Sequence, residues 1–245
     1  SGGTIGSRVV KDAPPDGYTV LQNHNALMIS KANGISDFGL EAFKLVGITA
    51  ANPGDVIAVS AKSGIKNLRE LVEASKKKKM TVATNIGATT QIESFMLAEY
   101  ANVTQVDVGG IPEKITALLG GHVDIIMGPY GNIEPYVKSG DFTILGVTSK
   151  ERSKTFPDIP TCIEQGYNIY FPTRFFYAFP KDTDQAIVDK FAKALEKIIT
   201  TNQDYAADIA KAYYQTPLWI PAEQAMAIFD EIDALIRKYS LTTLK

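Results

Sequence analysis

The stretch Thr81-Val-Ala-Thr-Asn-Ile-Gly-Ala-Thr-Thr-Gln-Ile-Glu-Ser-Phe-Met-Leu-Ala-Glu-Tyr100 changes its period part-way along. Residues 81–84 form a short β-prone run, while Ile92, Phe95, Met96 and Tyr100 recur at helical spacing. A strand that passes through a polar, glycine-bearing loop into an amphipathic helix is a building unit of α/β folds. Working outward, Leu68, Leu71, Val72 and Ser75 form one helical face and Ile115, Leu118 and Leu119 another. Pro112 and Gly120-Gly121 supply start and stop chemistry for the second of these. Further strands are expected at Tyr18–Gln22, after the turn Pro14-Pro15-Asp16-Gly17, and at Val56–Ser60, Val123–Met127, Thr143–Val147 and Tyr170–Phe179. The alternation predicts an α/β protein with largely parallel strands. After Pro180 the pattern reads as helices only, with stripes at Ile187, Val188, Phe191, Leu195, Ile198 and Ile199, then at Met226, Phe229, Ile232, Ile236 and Tyr239. Asp233 narrows the second stripe.

Composition removes several classes of function. The 245 residues are 45% hydrophobic and 21% charged, enough apolar material for a folded core and unlike a disordered chain. Lys+Arg 25 against Asp+Glu 27 leaves a net charge of -2, so no global positive field exists to collect phosphates and nucleic acid is a poor partner. The run Lys76–Lys79 reads as a solvated helix end. One cysteine and 2 histidines cannot assemble the usual zinc or thiol-catalysis sets, and Cys162 reads as a small buried hydrophobe. No stretch reaches the roughly 20 apolar residues a spanning helix needs. The opening Ser1-Gly2-Gly3 suggests a processed, truncated or partly unrecorded N-terminus.

Polar groups gather where strands end, the place at which open parallel sheets bind ligands. The first strand runs into Asn23-His24-Asn25. The Val82 strand runs into Thr84, Asn85, Gly87, Ala88, Thr89, Thr90 and Gln91. The Ile125 strand runs into Tyr130 and Asn132. Gly87 allows close backbone approach, and a helix beginning near Thr90 presents unpaired N–H groups and a positive dipole end, which together outline an anion cradle. Thr90-Gln91-Ile92-Glu93 also fits a capping box, which would use some of those donors internally. His24 reads either as a donor to a carboxylate or as a satisfied polar residue at a strand end. Tyr130 lines a pocket wall or pins its loop. Arg174, followed by Phe175 in an aromatic strand, needs a partner if buried, either a bound carboxylate or an internal one. No Gly-x-Ser-x-Gly elbow, Walker loop, dinucleotide fingerprint or framed carboxylate pair is found, acidic residues fall mostly on exposed helix faces, and no cofactor is indicated.

Several segments resemble the substrate-binding receptors of tripartite tricarboxylate transporters, the Bug-type receptors. They are Gly2-Gly3-Thr4-Ile5-Gly6, Ala13-Pro14-Pro15-Asp16-Gly17-Tyr18-Thr19, Leu118-Leu119-Gly120-Gly121-His122-Val123-Asp124, Gly146-Val147-Thr148-Ser149, Arg152-Ser153, Pro157-Asp158-Ile159-Pro160-Thr161 and Glu164-Gln165-Gly166. The resemblance implies a two-lobed periplasmic-binding-protein architecture of type II, the Venus flytrap, with a parallel or mixed sheet in each lobe. Its lobes are expected at residues 1–54, 55–172 and 173–245, the last segment returning to the first lobe. The expected function is an extracytoplasmic receptor, periplasmic or lipid-anchored at the cell surface. It would close on a small di- or tricarboxylate, amino acid or aromatic acid and pass it to membrane transporter subunits, without catalysis. The family holds the carboxylate through backbone amides, hydroxyls and waters, which here points to Thr84–Gln91. Its opening strand, ligand loop and first helix would precede Ser1. Arg174 departs from an aromatic residue more usual in the family. A sensing or docking module of the same fold that signals to a membrane partner is the alternative.

Overall fold

The computed structural model describes residues 3–240. Ser1 and Gly2, which belong to the opening and to one resembling segment quoted above, lie outside them. Contacts divide the chain into two units, Ser1–Asn52 with Thr173–Lys245, and Pro53–Pro172. Pro53 and Gly54 therefore fall with the second unit.

The first unit contains α1 (Thr4–Lys11), β1 (Leu21–His24), α2 (Ala26–Ala32), β2 (Phe43–Ala51), β8 (Arg174–Pro180), α7 (Gln185–Thr201), α8 (Gln203–Tyr213), β9 (Thr216–Pro221) and α9 (Ala222–Ser240). Its sheet runs β1-β8-β2-β9 and every pairing is antiparallel, which corrects the expectation of a largely parallel arrangement. The parallel reading failed because neighbours in this sheet come from distant parts of the chain, and β8 and β9, which α7 and α8 join, are separated by the antiparallel β2. β1 begins at Leu21 rather than Tyr18, since Asp16 Oδ1 accepts from Tyr18 N at 3.0 Å in an Asx turn and Tyr18 is 93% exposed. β8 begins at Arg174, not Tyr170. The stretch after Pro180 is not all helix, because β9 adds to the edge of β2, pairing Ile220 with Ile48. Leu27, Ile29, Ile48 and Phe176 are fully buried, and Phe229 of α9 meets Phe176 edge-on at a 5.4 Å centroid distance. Ile198 and Met226 leave their predicted stripes for solvent, and Ala225 is buried where Met226 was expected.

The second unit contains β3 (Asp55–Ser60), α3 (Leu68–Lys77), β4 (Met80–Thr84), α4 (Thr89–Ala98), β5 (Val103–Asp107), α5 (Ile111–Leu119), β6 (Ile125–Pro129), α6 (Tyr130–Lys138) and β7 (Phe142–Val147). The sheet order is β5-β4-β6-β3-β7. β4 is parallel to both β5 and β6, whereas β3 is antiparallel to β6 and β7, so this sheet is mixed. β6 starts two residues later than expected, at Ile125. Val56, Ile57, Val82, Ile125 and Ile126 of the strands are buried, as are Leu68 and Leu71 of α3 and Ile92 and Met96 of α4. α3 buries Leu68, Leu71 and Ser75 of its expected face, and α5 starts and stops where its proline and glycines lead one to expect. Asn67 Oδ1 caps α3 by accepting from Glu70 N at 2.9 Å, and α5 has proline in its first turn and Gly121 at φ +70° just after its end. Leu119, assigned to the inner face of α5, is instead half exposed. Cys162 is fully buried, and burial pushes its thiol up, out of the reactive range.

Candidate functional site

In the first unit the polar end of β1 faces the start of β8. Asn23 is buried, donates through Nδ2 to Ser7 Oγ at 2.9 Å and accepts from His24 N at 2.7 Å. Asn25 is fully buried and its Oδ1 accepts from Arg174 N at 2.9 Å. Both asparagines thus spend amide groups on the chain itself. His24 lies opposite Phe175 in the register, with ring centroids 5.4 Å apart. Its Nδ1 accepts from Ala26 N at 3.3 Å, which assigns the proton of the neutral ring to Nε2. Burial lowers its pKa from 6.5 to about 4, so near neutrality His24 is an uncharged donor and acceptor rather than a cation. Arg174 is partly buried. Its Nη1 donates to Thr173 O at 3.2 Å, and no carboxylate pairs with it among the described residues.

In the second unit the loop between β4 and α4 carries the other predicted set. Gly87 takes φ +84°, a conformation that suits glycine. Its N–H donates to Gln91 Oε1 at 2.9 Å, Ala88 N donates to Asn85 O at 3.0 Å, and Gln91 N donates to Ala88 O at 3.1 Å. The expected capping box is not formed. α4 begins at Thr89, one residue early, Ala88 occupies the cap position, and Glu93 turns into the core instead of reaching back. Among the described residues no acceptor is found for the N–H groups of Thr89 and Thr90, the first two of the helix. Thr84 Oγ1, at the strand end that feeds the loop, is buried without a hydrogen-bond partner. The loop therefore keeps two helix N–H groups uncommitted at the positive end of the α4 dipole, and the strand that feeds it ends in a buried hydroxyl without a partner. Tyr130 is pinned. Its hydroxyl lies 3.1 Å from Glu134 Oε1 and its ring stacks on Phe156 at 4.3 Å.

A buried charged group behind this loop escaped the sequence reading, which placed acids on exposed faces and found no paired carboxylates. Asp55, Glu93 and Lys114 are 4%, 1% and 3% exposed. Lys114 Nζ donates to Thr90 Oγ1 at 2.6 Å and lies 3.5 Å from Met127 O. Thr148 Oγ1 donates to Glu93 Oε1 at 2.6 Å and receives Asp55 N at 3.0 Å. Burial, followed by the neighbouring Asp55 charge, raises the Glu93 pKa well above the carboxylate range. A proton held by Glu93 avoids placing two ionised acids side by side in the interior. Burial lowers the Lys114 pKa, while Asp55, Glu93 and Asp107 oppose that shift. The structural reason is α4 itself: Thr89 through Ser94 are all buried, and a helix buried around its girth cannot send Glu93 to solvent.

Among the described residues no three His, Cys, Asp or Glu side chains are placed to hold a metal ion, and no helix is long and apolar enough to cross a membrane. Residues 1–235 match the family described as Tripartite tricarboxylate transporter family receptor. The chain belongs to that family. Solved structures of similar fold accompany this match. BugD, solved as a periplasmic binding protein, superposes with a TM-score of 0.79 at 25% identity over 99% of this chain and 82% of its own. An R. palustris protein solved with adipate gives a TM-score of 0.80 at 16% identity over 97% of this chain and 80% of its own, a likeness of fold alone. In sequence, a relative from Bordetella bronchiseptica, described only as a member of an uncharacterised protein family, is 29% identical over 206 residues, covering 80% of this chain. The chain spans 60% of that relative's length.

Proposed function

We propose that this chain is the solute-binding part of an extracytoplasmic receptor that captures a small organic acid and presents it to the subunits of a tripartite membrane transporter. It is a binding protein, not an enzyme, and its partners are the acid and the transporter rather than a nucleic acid. The ligand class is a di- or tricarboxylate, an amino acid or an aromatic acid. The observation that carries this reading is the pair of uncommitted N–H groups at Thr89 and Thr90 beside the unpartnered Thr84 hydroxyl, in a chain of a receptor family. A desolvated carboxylate needs several short donors, and the start of a buried helix supplies them without a competing counter-ion. Asn85, Gly87 and Ala88 shape the turn, and Gln91 fixes it through its bond to Gly87. In the first unit, Arg174 and His24 Nε2 offer donors to an acid group as well, with Phe175 as an apolar wall and Asn23 and Asn25 as internal braces.

The test is thermal unfolding of the chain against malate, adipate, citrate, glutamate, benzoate and, as controls, glucose and putrescine. At a concentration one hundred times Kd, binding adds about 2.7 kcal/mol, which moves the midpoint by roughly 5–11 °C for a chain of this size. At least one acid should stabilise and neither control should. An unchanged midpoint with every acid would sink the proposal.

A further inference from the structure

We propose that Lys114 is a positioning residue of the acid site: its ammonium occupies a lone pair of Thr90 Oγ1 and so turns that hydroxyl's proton toward the ligand. The inference rests on the function proposed above. An ammonium only donates, so in the 2.6 Å contact Thr90 Oγ1 must be the acceptor. The single hydroxyl proton of Thr90 is then left for another acceptor, and none is found for it among the described residues. Thr84 Oγ1, buried and unpartnered at the end of the same loop, is an independent sign that this corner is built for a group not contributed by the chain. A carboxylate oxygen is such a group, since it accepts from hydroxyls and from helix N–H groups alike.

The surroundings explain why a lysine can be tolerated there. A buried ammonium is costly without a carboxylate nearby, and the buried Asp55 stands close enough to oppose loss of its proton, with Asp107 as a more exposed second acid. With one proton kept by Glu93, the set of Asp55, Glu93 and Lys114 is neutral overall. Its positive member is the one bonded to Thr90 in the first turn of α4. The site thus gains a nearby cation that never contacts the ligand, and the hydroxyl in between is converted from a group of either polarity into a donor. Such a site would discriminate against ligands that present a donor in the carboxylate's place, because Thr90 could not reverse its role.

The experiment is a double-mutant cycle on the dissociation constant of whichever of malate, adipate, citrate, glutamate or benzoate binds the wild-type chain most tightly. Thr90→Val and Lys114→Met should each weaken binding by at least ten-fold, the double variant should be no weaker than the worse single one, and Lys114→Arg should restore binding to within three-fold. A purely structural lysine would give losses that multiply. Asp55→Asn/Lys114→Met removes the cation with its counter-ion, so the result does not depend on Lys114→Met folding alone, and it should show the same ten-fold loss. Multiplying losses, or full affinity without Lys114, would overturn the inference and leave the receptor reading intact. A wild-type chain that binds none of these acids overturns both.

Discussion

Lys114 Nζ lies 2.6 Å from Thr90 Oγ1, joining the middle of one buried helix face to the first turn of another. Through it the charged interior of the second unit is tied to the loop between β4 and α4. Two of the three ionisable members of that interior come from α4 and α5, and the third, Asp55, opens β3. The consequences can be measured without any ligand.

Glu93 holds its proton above the usual carboxylate range because it is buried beside Asp55. A carboxyl whose folded pKa is raised gives stability that is complete below its unfolded value and lost as pH rises toward the folded one. Glu93→Gln keeps the shape and supplies a permanent N–H toward Asp55. Relative to that variant, the wild-type chain should lose up to about 1.4 kcal/mol per pH unit above roughly pH 4.5, read from urea unfolding at pH 5, 6 and 7. Parallel curves for the two proteins would contradict a raised pKa.

His24 works in the opposite direction. Its pKa is lowered from 6.5 to about 4 by burial, so its contribution is present above pH 6.5 and disappears as pH falls through about 4. His24→Asn, which keeps an acceptor for Ala26 N, should remove the loss between pH 6.5 and 4 that the wild type shows. Comparing each variant with wild type separates this slope from that of Glu93, which lies in the other unit.

Phe229 is the aromatic anchor of α9 on the first unit's sheet, 1% exposed and edge-on to Phe176. Phe229→Ala should cost about 3–5 kcal/mol of unfolding free energy, measured by denaturant titration followed by a tyrosine or tryptophan signal. A loss below about 1 kcal/mol would mean that α9 is not fixed by this contact.

The sequence made α3, α5 and the β4–loop–α4 unit readable because periodicity, proline and glycine agree there with tertiary burial. Other parts were hidden for identifiable reasons. β2, Phe43–Ala51, has Lys44, Gly47 and Thr49 among its apolar residues without the alternation that marks a half-buried strand, and it is buried along almost its whole length. β9 carries Pro217 and Pro221, which argue against a strand unless it lies at an edge, and it does lie at the edge of its sheet. Strand direction depends on which segments pair, and a local pattern does not contain that information. In the site, the glycine turn and the donor-rich loop were legible, while Asp55, Glu93 and Lys114 were not, since isolated charged residues are normally at the surface. Their partners are 55 and 24 residues away in the chain, as in Glu93 with Thr148 and Lys114 with Thr90.

The claim that helix N–H groups of α4 hold the acid is tested most directly at Thr89. It is the first helical residue, and Ala88 before it is extended at φ -105° and ψ 166°, so proline fits there without breaking the helix. Thr89→Pro deletes one N–H and the hydroxyl, whereas Thr89→Val deletes the hydroxyl alone. Calorimetric titration with the acid that stabilises the chain most should give a dissociation constant at least ten-fold larger for Thr89→Pro than for Thr89→Val, both variants being folded. Equal constants for the two would show that this amide does not hold the ligand.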